Sequence, residues 1–189
     1  MRSRPRCFTA LALVTRAQPA SAPAALGRQR HDDVRDRTVE HLGVRFGVDA
    51  AQAARVQDTA GILLEQSTAW NLGADASAWL GWAAQLHEIG AQISHSDYHK
   101  HGAYILDHAD ATGFALPELH RLGQLVLGHK GKLKKLAVDE DDRLFFVQLM
   151  CLRLAVILCH ARRDPQYDAV SLSWKDPGHC FVLKVDPAW

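Results

Sequence analysis

"LHEIGAQISHSDYHKHGAYIL", residues 86–106, is the stretch on which the fold turns. It packs His87, Glu88, His95, His99 and His101 into fifteen positions. Such density points to a metal, a proton relay or a phosphate site. It also lies at a helix boundary. The preceding "ASAWLGWAAQLHEIG" puts Trp79, Trp82, Ala83 and Leu86 on one helical face, with Gly90 as the expected stop. The following segment predicts a short helix from Tyr98 to Ala109, with His95 and Ser96 able to cap it. His99 and His101 are two residues apart, so on that helix they point in different directions and cannot both face one ion.

Working outward, the helical period continues on both sides. "DVRDRTVEHLGVRFGV" aligns Val39, Leu42 and Phe46 and ends at Gly47. "DAAQAARVQDTAGILLEQ" opens on Asp49 as N-cap with Gln52 three residues on, a capping-box variant. Its expected core face is Val56, Ala60, Leu63 and Leu64. Downstream, "PELHRLGQLVLGHKG" starts with Pro117 at N1 and is expected to stop near Gly131. "DDRLFFVQLMCLRLAVILCHARR" is apolar on nearly all sides, interrupted by Gln148 and Arg153. That pattern suits a central buried helix better than a membrane span. After Pro165 the period falls to two. "AVSLSWK" and "CFVLKV" flank "DPGH" and read as a β-hairpin. A lone hairpin is marginal, so it reads as the cut-off start of a small α+β unit.

The chain has 189 residues, 48% of them hydrophobic, enough for one packed domain with a small appendage. Net charge is +1, but residues 1–30 carry six Arg and no acid. The other 159 residues hold 16 Lys and Arg against 21 Asp and Glu, a net of −5. An acidic body argues against a general nucleic-acid surface and leaves anion binding to local patches. The Arg- and Ala-rich leader is too short and interrupted to span a bilayer, and is read as disordered or spurious. Cys7, Cys151, Cys159 and Cys180 form no C-x-x-C pair, and the usage suits a reducing cytoplasm. The expected organisation is therefore a leader (1–30), a helical domain (31–164) and a truncated hairpin segment (165–189), with no membrane partner.

Two constellations carry candidate chemistry. The first is His87 and Glu88, with His129 further along in "LVLGHKGK". Each has an ordinary alternative. His87 can be a buried ring bonded to a backbone carbonyl, Glu88 can pair with a Lys, and His108, His120 and His160 read as surface residues. The second is "HKGKLKK", which places His129, Lys130, Lys132, Lys134 and Lys135 after a helix end. A lysine run is most often a solvated loop. In an acidic body, four lysines in six positions also suit a phosphate chain, because ammonium point charges bind it without fixed geometry.

The adjacent His and carboxylate at a helix end resemble the His-Asp pair of the HD superfamily. More specifically, "ARVQDTAGILLEQ", "WAAQLHEIGAQISHSDYHKHGAYIL" and "TGFALPELHRLGQLVLGHKGKL" resemble the C-terminal helical region of the exopolyphosphatase / guanosine pentaphosphate phosphohydrolase family, over residues 31–189. The resemblance implies an all-α, HD-domain-like bundle. It also implies an accessory role: binding polyphosphate or guanosine pentaphosphate and supporting a homodimer. The family reaction hydrolyses a terminal phosphoanhydride, with magnesium in the full-length enzyme, through actin-like lobes that this sequence does not contain. No catalytic residue and no cofactor is therefore expected in this chain, which by itself is expected to be inactive. Against an active HD site, Gln52 stands where an early-helix His would fall, and Val156 where a late-helix Asp would fall. His129 resembles an extra ligand of two-metal HD proteins, so His87, Glu88 and His129 make a degenerate metal set. The alternatives are a standalone metal-dependent HD-type nucleotide phosphohydrolase and a purely structural dimerisation module.

Overall fold

The computed structural model describes residues 33–66, 74–175 and 180–186. Among the described residues, six α-helices are followed by one antiparallel hairpin. The leader and the "DPGH" turn lie outside the described residues.

Helix α1 (Val34–Arg45) is capped by Asp33, whose side chain accepts from the Arg35 N–H. Val39 and Leu42 are buried and Phe46 packs against the same core. The chain reverses at Gly47, where φ is +62°, a backbone region that favours glycine. Helix α2 (Ala50–Gln66) begins after Asp49, whose Oδ1 accepts from the N–H groups of Ala51 and Gln52. Val56, Ala60, Leu63 and Leu64 are buried, as the periodicity requires. The reciprocal half of the capping box does not form, because the Gln52 side chain is committed elsewhere.

Helix α3 (Ala74–Leu86) turns Trp82, Ala83 and Leu86 fully inward and keeps Trp79 at the core edge. Trp79, Trp82 and Phe114 meet edge to face, and the Trp82 Nε1–H donates to Asp36 at 2.6 Å. The helix stops at Leu86 and not at Gly90. Gly90 serves close approach instead. A Cβ there would lie 2.2 Å from the Tyr98 carbonyl oxygen and 2.5 Å from the Gly102 nitrogen. The turn carrying His87 and Glu88 is thereby pressed onto helix α4 (Tyr98–His108). Asp97, and neither His95 nor Ser96, is the N-cap of α4, without a side-chain cap bond.

Helix α5 (Leu116–Gly128) has Pro117 in its first turn, and Glu118 accepts from the Ala115 N–H. It ends three residues before Gly131, and a 3-10 turn follows at Leu133–Lys135. Helix α6 (Arg143–Leu158) is the central element, lying against α2, α3 and α5. Its two polar interruptions are ties. Gln148 is wholly buried and its Nε2 donates to the Ala76 carbonyl at 2.9 Å. The Arg153 guanidinium donates to the carbonyls of Gly128 and Gly131 at the open end of α5. Cys151 and Cys159 are buried in the core.

Strands β1 (Val170–Lys175) and β2 (Cys180–Val185) pair antiparallel, with Val170 opposite Val185 and Leu172 opposite Leu183. Val170, Leu172 and Phe181 join the same apolar core as the helices. Gln66 at the end of α2 brackets β1. Its Oε1 accepts from the Leu172 N–H and its Nε2 donates to the Val170 carbonyl. This docking answers the marginal stability of an isolated hairpin.

Candidate functional site

Three elements bring three imidazoles together. His87 follows α3, His99 lies in the first turn of α4, and His129 caps the C-terminus of α5. All three are buried. The His87 and His129 rings meet edge to face at 5.6 Å, and His99 approaches His129 at 6.3 Å. Tyr98 covers the cluster, 5.3 Å from the His129 ring.

The backbone fixes two of the rings. His87 Nδ1 lies 2.7 Å from the Ala84 carbonyl, and His129 Nδ1 faces the carbonyl of Val126. A nitrogen facing a carbonyl must carry the proton, so each neutral ring presents a bare Nε2 lone pair. Burial lowers the pKa of His87. It lowers that of His129 well below the ordinary value, with the neighbouring His87 adding to the effect. His99 is also lowered, first by burial and then by the Lys130 charge. The Nε2 of His129 and the Nδ1 of His99 are buried without a hydrogen-bond partner. The sequence placed His87 and His129 in one constellation. It missed His99 as the third member, although its spacing to Gly102, Ala103 and Leu106, one face of a helix, was a usable signal.

Among the described residues, Glu88 pairs with no lysine. Its Oε1 lies 4.0 Å from the His87 Nε2 and 3.5 Å from the Nη2 of Arg162. Arg162 also donates through Nη1 to the Oδ2 of Asp49, the α2 cap. Gln52 and Arg162 reach the same atom: the Cys159 carbonyl accepts from the Gln52 Nε2 and from the Arg162 N–H. The Gln52 Oε1 accepts in turn from Arg55. Val156 is half-buried and packs against the core.

The fit of a divalent ion can be tested on these partners. Two bare imidazole nitrogens favour one. The rest of the set opposes it, because Gln52 spends both amide ends on protein groups and Val156 offers only hydrocarbon. Glu88 is neutralised by a guanidinium. Among the described residues, no group of three or more His, Cys, Asp and Glu side chains is arranged to hold a metal. The residues do not fit a tight divalent site.

The lysine run begins one residue after His129 and lies on the surface above this pocket. Lys130, Lys132, Lys134 and Lys135 are exposed, and Lys134 and Lys135 sit on the 3-10 turn. Lys130 bends back over the Tyr98 ring, 4.6 Å from its centre. His129, which the sequence grouped with these lysines, faces inward instead. The run therefore presents four ammonium groups on the surface, with the buried cluster beneath its first residue.

No helix among the described residues is long and apolar enough to cross a membrane. Residues 34–189 match the family model for Ppx/GppA phosphatase, domain III. The guanosine-5'-triphosphate,3'-diphosphate pyrophosphatase of Photobacterium profundum is 34% identical over 169 residues, covering 87% of this chain and 33% of the relative. The protein of the same name from Vibrio cholerae (El Tor Inaba) is 33% identical over 166 residues, covering 85% and 33%. That of Pseudoalteromonas translucida is 33% identical over 153 residues, covering 77% and 30%. The chain thus spans about a third of the length of these relatives. It belongs to the Ppx/GppA phosphatase family, in which it corresponds to domain III.

Proposed function

We propose that this chain is an accessory, polyanion-binding region of a cytoplasmic Ppx/GppA-type phosphohydrolase, and that it binds polyphosphate or guanosine pentaphosphate without hydrolysing either. The observation that carries this reading is the exposed run Lys130, Lys132, Lys134 and Lys135 in a body of net −5. Lysines just past a helix end also complement the negative end of its dipole, which accounts for Lys130 and Lys132. Lys134 and Lys135 lie further out, where charge presented to solvent is their main physical consequence. The substrate class comes from the relatives, which are named for guanosine-5'-triphosphate,3'-diphosphate. A homodimer and a magnesium-dependent reaction belong to the whole family protein on the same reading.

His87, Glu88 and His129 hold at most a weak divalent ion, and His129 supports the lysine run from beneath without contacting the ligand. A standalone HD-type phosphohydrolase is disfavoured by the side-chain commitments of Gln52 and Glu88. The test is a pair of assays on the purified chain. Equilibrium titration with polyphosphate should show saturable, salt-sensitive binding. Incubation with polyphosphate or guanosine pentaphosphate should release no phosphate, with or without magnesium. Steady turnover lost in His87→Ala would favour the phosphohydrolase reading, and absence of binding at low salt would remove the accessory one.

A further inference from the structure

We infer that the guanidinium of Arg162 is the resident cation of the His87–Glu88 pocket, occupying the position from which a divalent ion would otherwise engage these side chains. Three independent features converge on it. Arg162 has φ of +54°, a backbone region that non-glycine residues rarely adopt. Such a conformation persists only where surrounding contacts hold it. The contacts here are two carboxylates from distant parts of the chain, Asp49 Oδ2 and Glu88 Oε1, both within ion-pair distance of the one guanidinium. Asp49 keeps its other oxygen on the backbone of Ala51 and Gln52, so only Oδ2 is turned to the cation. The third feature is His87, whose free Nε2 lies on the Glu88 side.

Carboxylate oxygens from two distant segments converge on this positive charge, and an imidazole nitrogen lies beside one of them; these are the kinds of donor that a manganese or magnesium ion takes. A side-chain cation fills that role here with no dependence on metal supply. The backbone is also spent on the arrangement, because the Arg162 N–H donates to the Cys159 carbonyl, which Gln52 also holds. The pocket is therefore closed to divalent ions by charge as well as by the replacement of ligands. Removing the guanidinium leaves two uncompensated carboxylates beside an unprotonated imidazole.

The experiment uses Mn2+ as a paramagnetic probe, read as broadening of the His87 ring signals in NMR spectra of the full chain. Arg162→Gly removes the cation and suits the positive φ. In that variant, broadening should appear at Mn2+ concentrations at least tenfold lower than in the unaltered protein, and Arg162→Gly with Glu88→Gln should lose the gain. Arg162→Lys, which keeps the positive charge, should remain as closed as the unaltered protein. Arg162→Asn, whose side chain also tolerates positive φ, repeats the measurement should the glycine variant not stay folded. Equal broadening in the unaltered protein and in both the Gly and Asn variants overturns the inference. So does a lysine variant that opens as far as the glycine one, because charge would then not be what excludes the ion.

Discussion

His129 and Lys130 are joined by one peptide bond and sit in opposite media. His129 is buried among two other imidazoles and a tyrosine, with its Nδ1 held by a backbone carbonyl. Lys130 is exposed, its stem returning over that tyrosine. The boundary falls where α5 ends, because Arg153 from α6 draws the carbonyls of Gly128 and Gly131 inward and the chain then leaves the core. The buried region is specified by fixed partners and tolerates little change. The exposed region is specified by charge and tolerates geometric change. On the proposed reading, polyanion binding falls to the second, supported by the first.

The sharpest way to break the buried side is Gly90→Ala. Its Cβ would meet two backbone atoms of α4, which cannot move aside as a flexible side chain can. A loss of about 3 kcal/mol is expected, the upper end of ordinary overpacking, and chemical denaturation measures it. Retention of full stability would mean that the His87 turn is not pressed onto α4.

A graded version of the same test is pH. The rings of His87, His99 and His129 have their pKa lowered from the ordinary 6.5, mainly by burial. Below about pH 6.5 the unfolded chain takes up protons that the folded rings refuse, so stability falls as pH drops until the folded rings also titrate. Above that range the three rings contribute no pH dependence. Melting curves between pH 8 and 5 should show a decline beginning near 6.5, and His129→Gln should reduce its steepness. A flat profile would place the rings in contact with water.

Arg153→Met, next in size, keeps the packing of the side-chain stem and removes the tie to α5. The carbonyls of Gly128 and Gly131 lose their charged donor, at a cost of about 1.5–2 kcal/mol. Amide hydrogen exchange should quicken at the end of α5 and through the lysine run. Unchanged exchange there would show that the exposed side does not depend on the buried one.

The helices and the hairpin were legible because their apolar periods of 3.6 and 2 match burial of Val56, Ala60, Leu63, Leu172 and Phe181. The surface positions of His108, His120 and His160, and the backbone-bonded His87, were legible for similar local reasons. What could not be read was the destination of long polar side chains. Gln52 reaches Cys159, 107 residues away, and Arg162 reaches Asp49, 113 residues away. Nothing in local spacing selects such partners. Local sequence leaves Glu88 as a metal ligand or a partner for a lysine, and the fold gives it Arg162. Gly90 was read as a helix stop because glycine commonly is one. Its close approach to Tyr98 and Gly102 depends on a helix packing that no single segment encodes. His129 was grouped with the lysines because they are contiguous in sequence, whereas the end of α5 separates them in space.

The smallest expected change in stability accompanies the most direct test of function. Lys134→Ala together with Lys135→Ala removes two exposed charges and should alter stability by no more than about 0.5 kcal/mol. Polyphosphate affinity should be measured for this variant and the unaltered chain across a series of salt concentrations. Each ammonium that contacts the polyanion releases counterions, so the logarithm of affinity falls with the logarithm of salt in proportion to the contacts made. Weaker binding at low salt and a shallower slope are expected in the double variant, with melting unchanged. Identical affinity and identical slope in the two proteins would contradict polyanion binding through these lysines.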